Sequence, residues 1–281
     1  MKLVVQSTKT LETKPNNNSS DAISPNYVYG CAGGCGSYCY MKRYNRDKIY
    51  ANSNITDIEK SIYDWSRTIQ WPKPPNQQDP TYYMIDIGCN TDVALHQKHL
   101  QKPLIKILEF FDKDERLNST FATKYPSMLQ LDVTHFNKKP RVRMSLMPQA
   151  FSDVLEPNTN KIIDRIKSID RLIKLGWEVH LNFSPVIVYH NWISLYEELF
   201  QLIKDNTTTG KELKSEVIFL TNHKSAISAA TPEALELIIH SSEVKNKRGV
   251  MRYPIAHKRR FVANFIKSHK EILGIPIRYI F

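Results

Sequence analysis

The segment Tyr27-Val-Tyr-Gly-Cys-Ala-Gly-Gly-Cys-Gly-Ser-Tyr-Cys-Tyr40 decides how the rest of the chain is read. Cys31, Cys35 and Cys39 fall within nine residues, among Gly30, Gly33, Gly34 and Gly36. One other cysteine, Cys89, occurs in the 281 residues. A zinc site usually takes four ligands in closely spaced pairs, and no fourth ligand of that pattern follows. Three clustered thiolates suit a 4Fe–4S cube with one iron left open, and the glycines let the backbone wrap closely round it. Ligand number and spacing favour iron–sulfur, with a zinc-stabilised nucleic-acid binder as the competing reading. A secreted disulfide framework fits poorly, because the N-terminus has no basic-then-apolar signal layout; a cytoplasmic location is expected.

Working outward, Tyr27–Gly30 reads as a short strand that leads into the cysteine loop. Helical spacing of Ile58, Ile62 and Trp65 predicts a helix over Thr56–Arg67, capped by Thr56 or Asp57. Trp71–Pro80 is a proline-rich loop, and Tyr82–Gly88 an apolar strand that delivers Cys89. Lys102–Phe111 reads as a helix with Pro103 at its start. Phe121–Tyr125 and Arg141–Leu146 are strands. Lys161–Leu175 carries one apolar stripe, and Gly176 stops it. Strand Glu178–Phe183, helix Trp192–Lys204, strand Glu216–Thr221, helix Pro232–Ile239, helix Lys258–Leu273 and strand Ile277–Phe281 complete the order.

Strands alternating with helices imply parallel pairing through right-handed crossovers. About six such units with a C-terminal extension predict an α/β fold, an open, partial β/α barrel. Sites of such barrels lie beyond the C-terminal strand ends. The cysteine loop would follow the first strand and Cys89 would end the second, so both are expected at one mouth. Residues 1–25 are mostly polar and read as a flexible arm; residues 26–281 read as one domain. No run of about 18 apolar residues is present, which argues against a membrane span.

The net charge is +11, and seven Lys or Arg residues with no Asp or Glu lie between Lys245 and Arg260, inside a basic segment of about residues 242–281. Such balance suits a polyanion, since neutralising phosphates releases counterions, although a solvated charged face would look the same.

These residues together resemble the radical S-adenosylmethionine (SAM) superfamily, and within it the spore photoproduct lyase family. The loop Gly30–Tyr40 is similar to that family's cluster loop, including a tyrosine on each side of the last cysteine. Gly88-Cys-Asn-Thr-Asp92, Phe121-Ala-Thr-Lys124, Arg143-Met-Ser145, Phe183-Ser-Pro185 with Trp192, and Arg252-Tyr253 with Lys258 resemble further family segments in order. One departure is visible: the superfamily usually has two residues between the second and third thiols, and this chain has three.

The resemblance implies a radical SAM lyase, with the barrel of the radical SAM type, that repairs a thymine photoproduct in DNA; the same family chemistry on RNA or a peptide is the alternative. Cys31, Cys35 and Cys39 would hold the 4Fe–4S cluster. Thr91, Asp92, Lys124 and Ser145 would contact SAM, although residue type alone favours local strand-end hydrogen bonds for Thr91 and Ser145. Cleavage of SAM would give a 5′-deoxyadenosyl radical that takes hydrogen from the bridged thymine. Cys89 would return a hydrogen atom to the product radical, where an unremarkable cysteine would be a small buried hydrophobe. Tyr38 and Tyr40 would pass a hydrogen atom onward, or would simply pack beside the cluster. Arg252 and Lys258 would hold phosphates with Tyr253 near the bases; His257, Arg259 and Arg260 would join them or form an exposed helix face. An electron donor such as flavodoxin or ferredoxin is the implied protein partner.

Overall fold

The computed structural model describes residues 2–6, 12–16, 19–36, 39, 48–52, 54–208, 212–220, 222–223, 230–239, 244–245 and 250–281. Its contacts divide into two compact units. The first comprises Met1–Gly33, Tyr44–Met144 and Arg171–His180; the second comprises Gly34–Arg43, Ser145–Asp170 and Leu181–Phe281.

The first unit begins with β1 (Lys2–Gln6), β2 (Lys14–Pro15), β3 (Ala22–Ile23), β4 (Val28–Tyr29) and β5 (Lys48–Asn52). Helix α1 (Ile55–Ser66), β6 (Tyr83–Asp86), α2 (Val93–Lys113), β7 (Leu117–Thr123) and β8 (Arg141–Ser145) follow. β3, β6, β7 and β8 pair in parallel, and every residue of β6 is buried. That burial explains why Tyr83, Met84 and Ile85 follow one another without polar alternation. The stretch expected as a flexible arm carries three short strands among its described residues. Asp21 fastens it to β6: its carboxylate accepts from Met84 N at 2.7 Å and pairs with the buried Lys73 ammonium at 3.0 Å.

Three expectations are corrected in this unit. The strand entering the cysteine loop, β4, pairs antiparallel with β5 in a separate three-stranded sheet, and β3 takes the place beside β6. Helix α1 is preceded by Asn54, whose side chain donates to Asp57 at 3.0 Å, so neither Thr56 nor Asp57 is the cap residue. Helix α2 starts nine residues before Lys102. Its ladder is broken at Leu100 (φ −124°, ψ 29°), and Pro103 falls in the first turn after the break, where its missing N–H costs little.

The N-terminal ends of β8 and β9 (Glu178–Val186) are joined by a buried charge network. Arg141 bonds Asp79 at 2.5 Å and Glu178 at 2.8 Å, while His180 Nε2 meets Glu178 at 3.0 Å. Burial opposes ionisation of Glu178, but the hydrogen bond from His180 and the Arg141 charge outweigh it and hold the carboxyl well below its ordinary range.

The second unit carries α3 (Gln149–Leu155), α4 (Ile162–Lys174, whose last residues return to the first unit), most of β9, α5 (Trp192–Asn206) and β10 (Lys214–Phe219). Helix Pro232–Ile239, helix Ile255–Ile272 and β14 (Ile277–Ile280), parallel to β10, complete its main elements. β11 (Asn222–His223), β12 (Val244–Lys245) and β13 (Val250–Arg252) form a small antiparallel sheet. Alternation along β9 sends Phe183 into an aromatic core with Tyr196, Phe200, Phe265 and His269. Burial pushes the His269 imidazole down to about 4, so it stays neutral and hydrogen-bonds Ser215 at 2.8 Å. The order along the largest sheet is β14-β10-β9-β8-β7-β6-β3-β2, so six strands from β3 to β10 precede the terminal one.

Candidate functional site

The loop after β6 is built on Asp86. Its Oδ1 accepts from Gly88 N at 2.8 Å, and its Oδ2 pairs with the Arg143 guanidinium at 2.6 Å. Arg143 Nε donates to Thr120 Oγ1 at 3.1 Å, so β6, β7 and β8 each contribute to one buried polar cluster. Cys89, half-buried, stands beside it. Burial pushes the Cys89 thiol up to about 11; the Asp86 charge adds to this and Arg143 opposes it. At neutral pH the sulfur therefore keeps its hydrogen.

Thr91 and Asp92 follow in the same loop and turn inward. Thr91 Oγ1 donates to the Gly30 carbonyl at 2.9 Å, and Asn90 Nδ2 donates to Asn26 Oδ1 at 3.1 Å. These bonds bring the start of the cysteine loop to the Cys89 loop, although β4 is not in the same sheet as β6. Asp92 caps α2. Its Oδ1 accepts from Leu95 N at 3.4 Å and from the Thr123 hydroxyl at 2.8 Å, and its Oδ2 accepts from Lys124 N at 2.8 Å. Both oxygens are thus engaged within the protein. Burial raises the Asp92 carboxyl above its ordinary range, against the pull of those hydrogen bonds. The Lys124 side chain is half-buried.

The cysteine loop is clamped through its glycines. In the first unit, Tyr125 Oη donates to the Gly33 carbonyl at 2.6 Å, and a Cβ on Gly33 would sit 2.6 Å from that oxygen. Gly33 N–H in turn points at Cys31 Sγ, 3.4 Å away. In the second unit, Asn158 Nδ2 donates to the Gly34 carbonyl at 2.9 Å. Gly36 adopts φ +111°, and a Cβ there would lie 2.2 Å from the Leu155 carbonyl oxygen, so only glycine fits. Cys35 is buried and Cys31 and Cys39 are half-buried; no disulfide forms among the four cysteines. Tyr38 and Tyr40 lie outside the described residues.

Ser145 ends β8. Its carbonyl accepts from the fully buried Arg165 at 2.8 Å, and Arg165 also pairs with Glu156 at 2.9 Å and donates to Asn160 O at 2.9 Å. Two ladder bonds, Glu178 N to Pro140 O and Leu146 N to Asn182 O, set the β8–β9 register and put Ser145 beside Asn182. Asn182 Oδ1 is buried with no hydrogen-bond partner among the described residues. A buried orphan acceptor is costly, and a donor on a ligand would relieve it.

Arg252 has its backbone in β13, and Lys258 is half-buried in helix Ile255–Ile272. Tyr253 departs from expectation. It is 4% exposed, packs on Phe219 and Phe261, and its hydroxyl accepts from Val188 N at 3.2 Å, so it is a core residue. His257, Arg259 and Arg260 are exposed, as is Ile255. Sequence reading missed Tyr125, Asn158, Arg165 and Asn182. Only Arg165 carried a signal, as a charge between Ile162, Ile166 and Ile169 on the apolar side of α4.

Among the described residues, no three His, Cys, Asp or Glu side chains stand together in ready-made metal geometry. The fit to a cluster rests instead on the donor set and the backbone. Three soft thiols within one glycine-clamped loop, with no fourth cysteine in it, suit an iron–sulfur cube with an open iron.

No described helix is long and apolar enough to cross a membrane. The sequence profile of the family described as spore photoproduct lyase matches residues 1–264. A curated spore photoproduct lyase from Clostridium acetobutylicum is 29% identical over 210 residues, which cover 73% of this chain and 59% of that protein. The chain therefore spans about three-fifths of the length of the curated relative it matches. Among solved structures, a spore photoproduct lyase complexed with dinucleoside spore photoproduct superposes with TM-score 0.84 at 21% identity, over 99% of this chain and 82% of that one. A double mutant with bound AdoMet and dinucleoside spore photoproduct gives TM-score 0.83 at 20% identity with the same coverage. These likenesses establish the fold, an α/β fold with the curled, half-barrel parallel sheet expected from the alternation of strands and helices.

Proposed function

Because the chain belongs to the spore photoproduct lyase family, we propose that it is a radical SAM lyase that repairs a spore photoproduct-type thymine lesion in DNA. Cys31, Cys35 and Cys39 would hold a 4Fe–4S cluster, with SAM on the open iron. When bound, the reduced cluster and SAM supply the primary radical that removes a hydrogen from the bridged thymine pair.

The observation that carries the reading is the state of Cys89. A hydrogen-atom donor must hold an S–H bond, not a thiolate, and burial beside Asp86 keeps this thiol protonated. Cys89 Sγ would give its hydrogen to the product radical, and Tyr38 and Tyr40 would pass a hydrogen atom onward to the resulting thiyl, drawn in the end from the 5′-deoxyadenosine that the first abstraction leaves. Thr91 ties the Cys89 loop to the cysteine loop through Gly30. Lys124 offers the positive charge suited to the SAM carboxylate. Ser145 would offer a neutral polar contact to SAM. Asp92 acts one step back, by holding the Lys124 backbone.

Arg252 and Lys258 would grip phosphates beside the lesion, with the exposed Arg259 and Arg260 adjoining. A damaged pair that already stacks poorly costs less to extrude than an intact one. The electron comes from a flavodoxin- or ferredoxin-class donor. A cytoplasmic setting agrees with four cysteines that form no disulfide.

The test is anaerobic reconstitution followed by SAM, dithionite and a synthetic spore-photoproduct dinucleotide. About four irons and absorbance at about 400 nm are expected for such a cube, and the dinucleotide should be returned as thymidylyl-thymidine, with the bridge between its bases broken. Cys39→Ala should lose iron and SAM cleavage together. A Cys39→Ala protein that keeps its iron and cleaves SAM at the wild-type rate would refute the ligand set. Modification of RNA or a peptide in place of the dinucleotide would refute the substrate.

A further inference from the structure

Tyr125 was not singled out by any motif, yet its hydroxyl is spent on the cysteine loop. The residue is 6% exposed, and its Oη donates to Gly33 O at 2.6 Å. Its own position is held in turn. Tyr125 N donates to Thr123 Oγ1 at 2.9 Å, and that hydroxyl donates to Asp92 Oδ1 at 2.8 Å. On the other side of the same glycine, the Gly33 N–H is directed at Cys31 Sγ at 3.4 Å. The run Asp92–Thr123–Tyr125–Gly33–Cys31 is continuous and lies within the first unit.

Hydrogen bonds to cysteinyl sulfur are among the features that set the reduction potential of an iron–sulfur cluster. An N–H that points at the sulfur stabilises the extra negative charge of the reduced state. Glycine has no side chain to restrict its two peptide planes, so Gly33 needs an external hold to keep its N–H on the sulfur. Resting on the reading of Cys31 as a cluster ligand, we propose that Tyr125 is a positioning residue that raises the cluster's reduction potential, by fixing Gly33 so that its N–H stays on Cys31 Sγ.

Tyr125→Phe removes the hydroxyl and keeps the ring. Tyr83→Phe is the control, because its hydroxyl donates to Gln70 O at 2.7 Å and not to a residue of the cysteine loop. Wild type and both variants are reconstituted anaerobically, assayed for iron, and titrated spectroelectrochemically without SAM. Tyr125→Phe should hold wild-type iron but give a reduced-to-oxidised ratio about tenfold lower at a given applied potential, a shift of ~59 mV to the negative side for a one-electron couple. Tyr83→Phe should match wild type. Should Tyr125→Phe fail to load, Thr123→Val, which removes the anchor of the Tyr125 backbone, carries the same measurement and the same expected direction. An unchanged midpoint in the loaded variant overturns the proposal alone and leaves Tyr125 as a packing residue. A wild-type chain that takes up no iron overturns the ligand reading, and the proposal falls with it.

Discussion

Substitution of Asp92 tests the join between α2, β7 and the Cys89 loop. In Asp92→Asn the amide oxygen can still accept from Leu95 N and the Thr123 hydroxyl, but the amide nitrogen then faces Lys124 N, donor against donor. One hydrogen bond to a charged acceptor is lost and a backbone N–H is left unsatisfied, at a cost of about 1–3 kcal/mol. Asp92→Ala also loses the cap, worth about 1 kcal/mol, and the Thr123 bond, worth about 1 kcal/mol more. Removing a buried charge returns part of this, because burial already raises the Asp92 carboxyl above its ordinary range. We therefore expect net losses near the lower end, about 1–2 kcal/mol for Asn and about 2–4 kcal/mol for Ala. Urea unfolding followed by far-UV circular dichroism gives the difference as a midpoint shift at constant slope. The pH dependence has a definite sign. A carboxyl with a raised folded-state pKa contributes stability that is complete below its unfolded value and is lost as pH rises through the folded one. The margin of wild type over Asp92→Asn should therefore narrow from acid towards neutral pH. Equal midpoints for wild type and Asp92→Asn, or Ala no worse than Asn, would refute the account of Asp92 as an internal acceptor.

Cys89→Ala should retain iron and SAM cleavage but divert the thymine radical to side products, such as adducts with dithionite-derived species; clean recovery of intact thymines at the wild-type rate would return Cys89 to packing. Alkylation of Cys89 by iodoacetamide should rise with pH to a midpoint about 11, and one at the ordinary thiol value would remove the burial argument. Binding to lesion-bearing duplex should weaken with salt, each phosphate contact adding about −0.9 to the log–log slope, and replacing Arg252 and Lys258 by Ala should flatten it by nearly two contacts. Fluorescence anisotropy at several salt concentrations measures this, and an unchanged slope means those charges only solvate the surface.

The elements with long, regular patterns were legible in advance. Helix α4 shows its stripe because Ile162, Ile166, Ile169 and Leu172 recur at helical spacing, and all four are buried. Helix Pro232–Ile239 has its expected bounds. Helix α3 was missed, since seven residues hold too few turns for a period to register. The start of α2 was missed because Pro103 looked like a first-turn proline; it is one, but of the segment after the break at Leu100. The strand before the cysteine loop was assigned to the wrong sheet, because two-residue strands such as β3 and β4 carry no pattern that says which neighbour they pair with.

The sequence by itself determined the chemistry on offer: three thiols and four glycines in one loop, a lone Cys89 behind an apolar strand, and a basic C-terminal segment. Those are properties of residue type and local spacing, and they survive translation from chain to fold. Tertiary structure alone decided what holds each group. It put Tyr253 in the core, engaged both oxygens of Asp92 internally, and brought Tyr125 against Gly33 across 92 positions of chain. It also set the Cys89 thiol beside Asp86 and Arg143, whose charges and burial fix its protonation. A hydrogen bond or a desolvation cost depends on which atoms face each other after the chain folds, and no local pattern in the sequence encodes that.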